Sequence, residues 1–263
     1  MDLGIRGRVA LVAASSKGLG RATAEALAAE GCALVLCARG ADALHATADA
    51  IRAAHGVPVT AIAADVAEAA GVAAVLDAAT AAHGRVDILV TNAGGPPSGP
   101  FEQHDDAAWE QALRTNLRSV VALVRGVLPG MRERGWGRIV NVTSIAVKQP
   151  VDGLILSNAV RAAVTGFART LANEVAPFGI TVNNVMPGYT RTQRVDELAT
   201  RAAAAKGIDV AEAFAAWERE IPMRRLGTPA EFGAMVAFLC SAQASYTTGA
   251  SIPVDGGWIR ALV

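Results

Sequence analysis

An α/β fold, one doubly wound parallel sheet between two layers of helices, is predicted by three observations on this 263-residue chain. Short β-branched and apolar runs alternate with long, alanine-rich amphipathic segments, the pattern of repeated βαβ units. Helix starts are marked by capping chemistry. With 52% of the side chains apolar, the chain is long enough to bury roughly three quarters of its unfolded surface in one core. Taken in order, strands are expected at Val9–Ala13, Ala33–Cys37, Val59–Ala63, Ile88–Thr91, Ile139–Val142, Thr181–Val185 and Ser251–Val254. A helix follows the first strand and runs to Glu30. Asp65-Val66-Ala67-Glu68 is read as a weak helix start. Thr228-Pro229-Ala230-Glu231 is a stronger one, with a capping hydroxyl, proline at the first helical position and a carboxylate three residues after the cap. RVDELATRAAAAK, from Arg194, and VAEAFAAWERE, ending at Glu220, read as two helical pieces separated by Gly207. The expectation is a single domain over 1–263 with a helical lid at about 190–222.

Charge and composition narrow the function. Lysine plus arginine and aspartate plus glutamate number 24 each, so there is no basic field to attract nucleic acid or anionic lipid. Neither partner is expected. Arg6 and Arg8 precede an apolar run that stops at Ser15, too short for a secretory leader and without its cleavage site, which points to a cytoplasmic protein. Cys32, Cys37 and Cys240 lie in apolar stretches without metal-ligand spacing; buried thiols behave mainly as small hydrophobes, so no disulfide and no metal site is expected. His45, His55, His83 and His104 are read as solvated surface residues.

The first strand runs into Ala13-Ala14-Ser15-Ser16-Lys17-Gly18-Leu19-Gly20 and then a helix. A dinucleotide pyrophosphate needs such a turn, whose amides and helix N-terminus approach the phosphates closely. Alanine at position 14 puts a methyl group where the backbone wants glycine's freedom, while Ser15, Ser16 and Gly18 still offer donors and close approach. The second strand ends Leu36-Cys37-Ala38-Arg39, with no carboxylate to grip a ribose diol. That favours NADP(H) over NAD(H): Arg39 can face the 2′-phosphate, with Lys17 as a second positive charge.

VNVTS ending at Ser144, AAVTGF from Ala162 and ITVNNVMPGYTRT from Ile180 resemble the short-chain dehydrogenase/reductases, closest to the 3-oxoacyl-acyl-carrier-protein reductase branch. The resemblance implies a Rossmann-type, three-layer αβα fold and a glycine turn written Thr-Gly-x-x-x-Gly-x-Gly, which Gly18 and Gly20 match and Ala13 and Ala14 do not. It implies that Asp65-Val66 border the adenine, that Asn92-Ala93-Gly94 support the adenosine side, and that Pro187-Gly188 with Thr190 and Thr192 hold the nicotinamide amide. Asn116 and Ser144 correspond to the family's catalytic asparagine and serine. Where the family carries a tyrosine and, four residues on, a lysine, this chain has Ser157 and Arg161. The alignment cannot slide, because Ala162-Ala163-Val164 follows in place and the two tyrosines are Tyr189 and Tyr246. The resemblance also implies a homotetramer built on the helices after Asn116 and Ser157 and on SIPVDGGW.

In the family, serine polarises the substrate carbonyl, tyrosine delivers the proton, lysine lowers the tyrosine pKa and holds the nicotinamide ribose, and asparagine anchors a relay water. A phenol near pKa 10 can be tuned downward by a cation. A serine hydroxyl cannot be tuned far enough, and arginine stays protonated. Four apart on one helix face, Arg161 can still donate to the ribose. Lys148, past Ser144, is the first substitute acid to consider and Tyr189 the second. The leading reading is an NADP(H)-dependent oxidoreductase of a ketone or secondary alcohol with an unconventional proton source. A cofactor-retaining isomerase, lyase or hydrolase working through Lys148, and a catalytically silent protein that binds NADP or a metabolite, stay open.

Overall fold

A computed structural model describes residues 2–262 of the chain. Its strands are β1 Val9–Ala13, β2 Ala33–Ala38, β3 Val59–Ala63, β4 Ile88–Thr91, β5 Gly137–Val142, β6 Ile180–Pro187 and β7 Ser251–Val254. They form one parallel sheet in the order β3-β2-β1-β4-β5-β6-β7. The helices are α1 Gly18–Ala29, α2 Ala41–His55, α3 Ala69–His83, α4 Asp106–Leu113, α5 Ser119–Arg134, α6 Ile155–Val175, α7 Gln193–Lys206, α8 Val210–Glu220 and α9 Pro229–Cys240.

Every residue of β1 is buried, and its side chains alternate between two cores. Ala10 and Val12 pack with Leu27 of α1, Leu44 of α2 and Phe232 of α9. Val9, Leu11 and Ala13 pack with Val75 of α3, Leu123 of α5 and Val164 of α6. Helices therefore cover both faces, as an all-parallel sheet requires. Between β1 and β4 the strand order reverses direction, which opens a crevice at the carboxyl ends of those strands. At the amino ends, buried Asp87 is faced by Arg8, Arg85 and Arg134 and accepts the Val9 amide. Those charges lie at the far end from the crevice.

A polar row crosses four strands inside this apolar sheet. Thr91 Oγ1 donates to Asn141 Oδ1 (2.7 Å), Asn141 Nδ2 to Asn184 Oδ1 (3.1 Å) and Asn184 Nδ2 to Ser251 Oγ (3.0 Å). Each link joins residues paired in register, so buried amides are satisfied across the sheet.

All seven expected strands are present, with β2, β5 and β6 each longer than expected. Thr228 and Glu231 form the full capping box of α9. Asp65 does not start a helix: its Oδ1 accepts the Ala67 amide at 3.0 Å, closing a local turn, and α3 begins at Ala69 with Glu68 as its cap. Two histidines depart from the solvated reading. His83 is half-buried with Nε2 3.1 Å from Thr60 Oγ1, and burial lowers its pKa; His104 is half-buried with Nε2 lacking a partner. The cysteines are buried and free, and burial pushes the Cys32 and Cys37 thiols up to about 12. No helix among the described residues is long and apolar enough to cross a membrane.

Candidate functional site

The glycine turn is shaped by close backbone contact. Helix α1 starts at Gly18, so the Gly18, Leu19 and Gly20 amides have no partner inside the helix. A Cβ built on Gly20 would lie 2.2 Å from the Ala14 carbonyl oxygen, so only glycine lets the helix sit this close to the turn. Ala14 itself holds φ +50°, the left-handed region that disfavours a Cβ. Ser15 is turned away from a phosphate: both its amide and its hydroxyl donate to Cys37 O, at 3.1 and 3.4 Å. Lys17 is exposed and donates to Gln193 Oε1 at 2.6 Å; Arg39, exposed at the end of β2, forms no ion pair among the described residues. Ser16 is partly buried, with its carbonyl accepting the Thr47 hydroxyl at 2.9 Å.

The other candidate cofactor contacts also follow strand ends. Asp65 and Val66 lie half-buried beyond β3, with Asp65 Oδ1 occupied by its own turn. Asn92 and Ala93 are half-buried and Gly94 exposed beyond β4. Pro187 closes β6, Gly188 donates its amide to Val254 O at 3.0 Å, and buried Thr190 bridges to Gly227. Thr192 caps α7, and its methyl group would lie 3.7 Å from a Cβ on Gly18. The segment after β6 thus meets the glycine turn across the crevice.

On the other side stand Asn116, Ser144, Ser157 and Arg161. Asn116 is buried in a widened helical turn, Arg114–Arg118, between α4 and α5; Nδ2 reaches Ala112 O at 3.3 Å and Oδ1 has no partner. Such turns recur at functional sites. Ser144, half-buried after β5, accepts the Ala146 amide on Oγ at 3.1 Å, which leaves its own proton free to donate. Arg161 reaches back from α6 to the end of β5: Nη1 donates to Val142 O at 2.8 Å and Thr143 O at 2.9 Å, and Nε to Ser157 Oγ at 3.3 Å. Burial, with the nearby positive charge of Arg194, lowers its pKa to about 10.

The two substitute acids fare differently from this group. Lys148 is exposed at the end of the short turn Ile145–Val147, and its side chain makes no hydrogen bond or ion pair among the described residues. Tyr189 stacks on Trp217 with ring centroids 4.6 Å apart and meets Trp258 edge-on at 6.1 Å. Burial and Glu220 push its phenol up to about 12, the wrong direction for a proton donor near neutrality.

One feature of the cleft lay outside the sequence reading. Arg194, at the start of α7, donates from Nη2 to Pro96 O at 2.9 Å, and Arg201 reaches Ser98 Oγ at 3.1 Å. Two arginines thereby tie the proline-rich loop after β4 to α7. The arginine-rich run after Pro187-Gly188 was the available signal.

These features define a dinucleotide-binding α/β enzyme. The model described as enoyl-(acyl carrier protein) reductase matches residues 13–259, and the chain belongs to the short-chain dehydrogenase/reductase family, a family of oxidoreductases. It is 35% identical to the 3-oxoacyl-acyl-carrier-protein reductase of Vibrio cholerae over 97% of this chain and 98% of that one. The L-sorbose reductase of Gluconobacter frateurii, solved with NADPH and L-sorbose, superposes with a TM-score of 0.95 at 37% identity over 100% of both chains. A variant of actinorhodin polyketide ketoreductase, solved with NADPH, gives 0.93 at 34% over 97% and 98%.

Proposed function

We propose that this chain is an NADP(H)-dependent reductase of a ketone, run in reverse on a secondary alcohol, with Ser157 and Arg161 standing where its relatives carry tyrosine and lysine. The observation that carries the reading is Ser144: its Oγ accepts from Ala146 N, which leaves its proton free to donate, and it stands at the end of β5, on the same edge of the sheet as the turn at Gly20. The unpaired amides of Gly18, Leu19 and Gly20 suit a pyrophosphate, and unpaired Arg39 suits a 2′-phosphate. The site fits NADP(H). When bound, that group supplies the hydride, so that ketone, NADPH and a proton give alcohol and NADP⁺. Ser144 donates to the carbonyl oxygen as negative charge grows there. Buried Asn116 Oδ1, without a protein partner, can take a water. Ser157 cannot serve as the principal acid, because a hydroxyl accepting from Arg161 remains far above neutrality. With Tyr189 raised to about 12, exposed Lys148 or water supplies the proton.

Following the reduced-nicotinamide absorbance against a panel of ketones tests the reading. Turnover with NADPH is expected, together with a loss of about 10²-fold or more in Ser144→Ala; folded, NADPH-binding protein inert toward the panel would favour the isomerase, lyase or binding-protein alternatives. The α7–α8 pair is proposed as a lid, since Phe214 and Trp217 pack edge-to-face at 5.7 Å and Trp217 stacks on Tyr189, forming an apolar roof. A homotetramer in the cytoplasm is the proposed state. It rests on the likeness of α5, α6 and the β7 segment to the family's self-complementary surfaces. Sedimentation at micromolar concentration showing monomer alone would remove it.

A further inference from the structure

The loop after β4 and the helix after β6 are joined across the strand that lies between them. Strands β4, β5 and β6 are neighbours in that order and parallel, so their carboxyl ends lie along one edge of the sheet. Arg194 Nη2 of α7 donates to Pro96 O at 2.9 Å, and Arg201 Nη1, further along the same helix, donates to Ser98 Oγ at 3.1 Å. The columns of β4 and β6 stand roughly 10 Å apart, twice the spacing of neighbouring strands. A bond between the segments that follow them therefore spans the column of β5, and Ser144 is the second residue beyond the end of that strand.

The loop is stiff and is held from its other side as well. Pro96, Pro97 and Pro100 restrict its backbone. Gly99 N donates to Gly153 O at 2.7 Å, and Gly99 bridges to Leu154, in the segment that leads from Ser144 into α6. Gly95 lets the Arg194 guanidinium lie against the main chain, since a Cβ there would meet Nε and Nη2 at 3.4 Å. On the helix side, the two ends of the α7–α8 excursion are pinned together, Gly227 N donating to Tyr189 O at 3.0 Å and Arg191 N to Gly227 O at 2.9 Å. With the loop braced and the ends of the excursion pinned, the joint that can part is the side-chain one, Arg194 to Pro96 and Arg201 to Ser98.

We propose that these two arginine contacts form a strap across the Ser144 end of the cleft that selects substrate by size, admitting short, untethered ketones and excluding an acyl chain carried on a pantetheine arm. The proposal rests on the reductase reading above and deepens it to a substrate class. A short ketone is enclosed with the strap closed. A carried acyl group needs it open, because its arm has to leave the cleft while the carbonyl stays at Ser144. Only the fraction of molecules with both hydrogen bonds broken can then bind it, and its apparent affinity falls by that fraction.

The test compares S-ethyl thioacetoacetate with acetoacetyl pantetheine, which share the ketone and the thioester and differ in the arm. With NADPH as reductant, kcat/KM should favour the ethyl thioester by about 10- to 100-fold, the effect of parting two hydrogen bonds. Ser98→Ala with Arg201→Gln removes one of them and should shrink that ratio by about 5-fold, through a higher kcat/KM for the pantetheine compound; Arg201→Lys, which keeps a donor, should shrink it less. Equal kcat/KM for the two compounds in the wild type would overturn the proposal. So would a rise in kcat in the double variant that is the same for both, since the strap would then limit release and not entry. If neither compound is reduced, thermal melting of the NADPH complex with each of them decides the strap separately. Stabilisation by the ethyl thioester alone, extended to the pantetheine compound in the double variant, supports the strap even as the reductase reading fails. Equal stabilisation by both in the wild type, or none by the ethyl thioester, overturns it.

Discussion

The two sides of the crevice are built on different principles. Around the glycine turn, recognition is made from backbone: orphan amides, the close approach of Gly20 to Ala14 O and the end of β2. Around β5 and α6 it is made from side chains: Arg161 donates to Ser157 Oγ and to the Val142 and Thr143 carbonyls, directly before Ser144. Backbone recognition tolerates side-chain change as long as the chain path survives, as Ala14 shows by adopting φ +50° where glycine would sit more easily. Side-chain recognition has no such tolerance. An exchange there rewrites the chemistry while the fold and the crevice stay in place.

The largest effect should come from rebuilding the side-chain half. Ser157→Tyr with Arg161→Lys restores a tunable phenol and its cation on one helix face, so turnover of simple ketones should rise by about 10²–10⁴-fold. Unchanged turnover in a folded, NADPH-binding double variant would mean that proton supply was not the limiting defect. Next comes the backbone half. Gly20→Ala forces a methyl group onto the Ala14 carbonyl, and a loss of about 3 kcal/mol in urea-midpoint stability is expected, with weakened NADPH binding. A wild-type midpoint would show that the turn relaxes freely. Arg39→Asp should reverse a preference for NADP(H) over NAD(H), at a cost to NADP(H) of about 1.5–3 kcal/mol read by titration. If the ratio does not move, Arg39 is a solvated cation. The smallest effect is a gain: Ala14→Gly relieves the left-handed strain and should add about 1 kcal/mol, which a rise in melting temperature would register.

The same division explains what could be read from sequence. Strand runs such as Ile88–Thr91 and the Thr228 capping box are local signals, so β1 to β7 and the start of α9 were legible. Asp65 misled because a carboxylate that accepts an amide two residues on closes a turn as readily as it opens a helix. The widened turn at Asn116, which lies against α6, has no local cue in the sequence. His83 was misread for a similar reason, because its partner Thr60 comes from another element, while His104 is half-buried beside Gly99. Arg161 was expected to reach outward to a ribose. Its grip on β5 could not be foreseen from helix spacing, because the acceptors are main-chain carbonyls brought close only by the tertiary fold.

The row from Thr91 through Asn141 and Asn184 to Ser251 has a consequence for how the cleft is kept true. Side chains along a strand change face at every residue, so if any of β4 to β7 shifted by one position, its member would leave the row and strand a buried amide in hydrocarbon. The row therefore works as an alignment pin through four parallel strands. It sets the heights at which β4, β5 and β6 end, and with them the relative levels of Asn92, Ser144 and Pro187 at the rim. Asn141→Leu should consequently blur the geometry of a site it never touches.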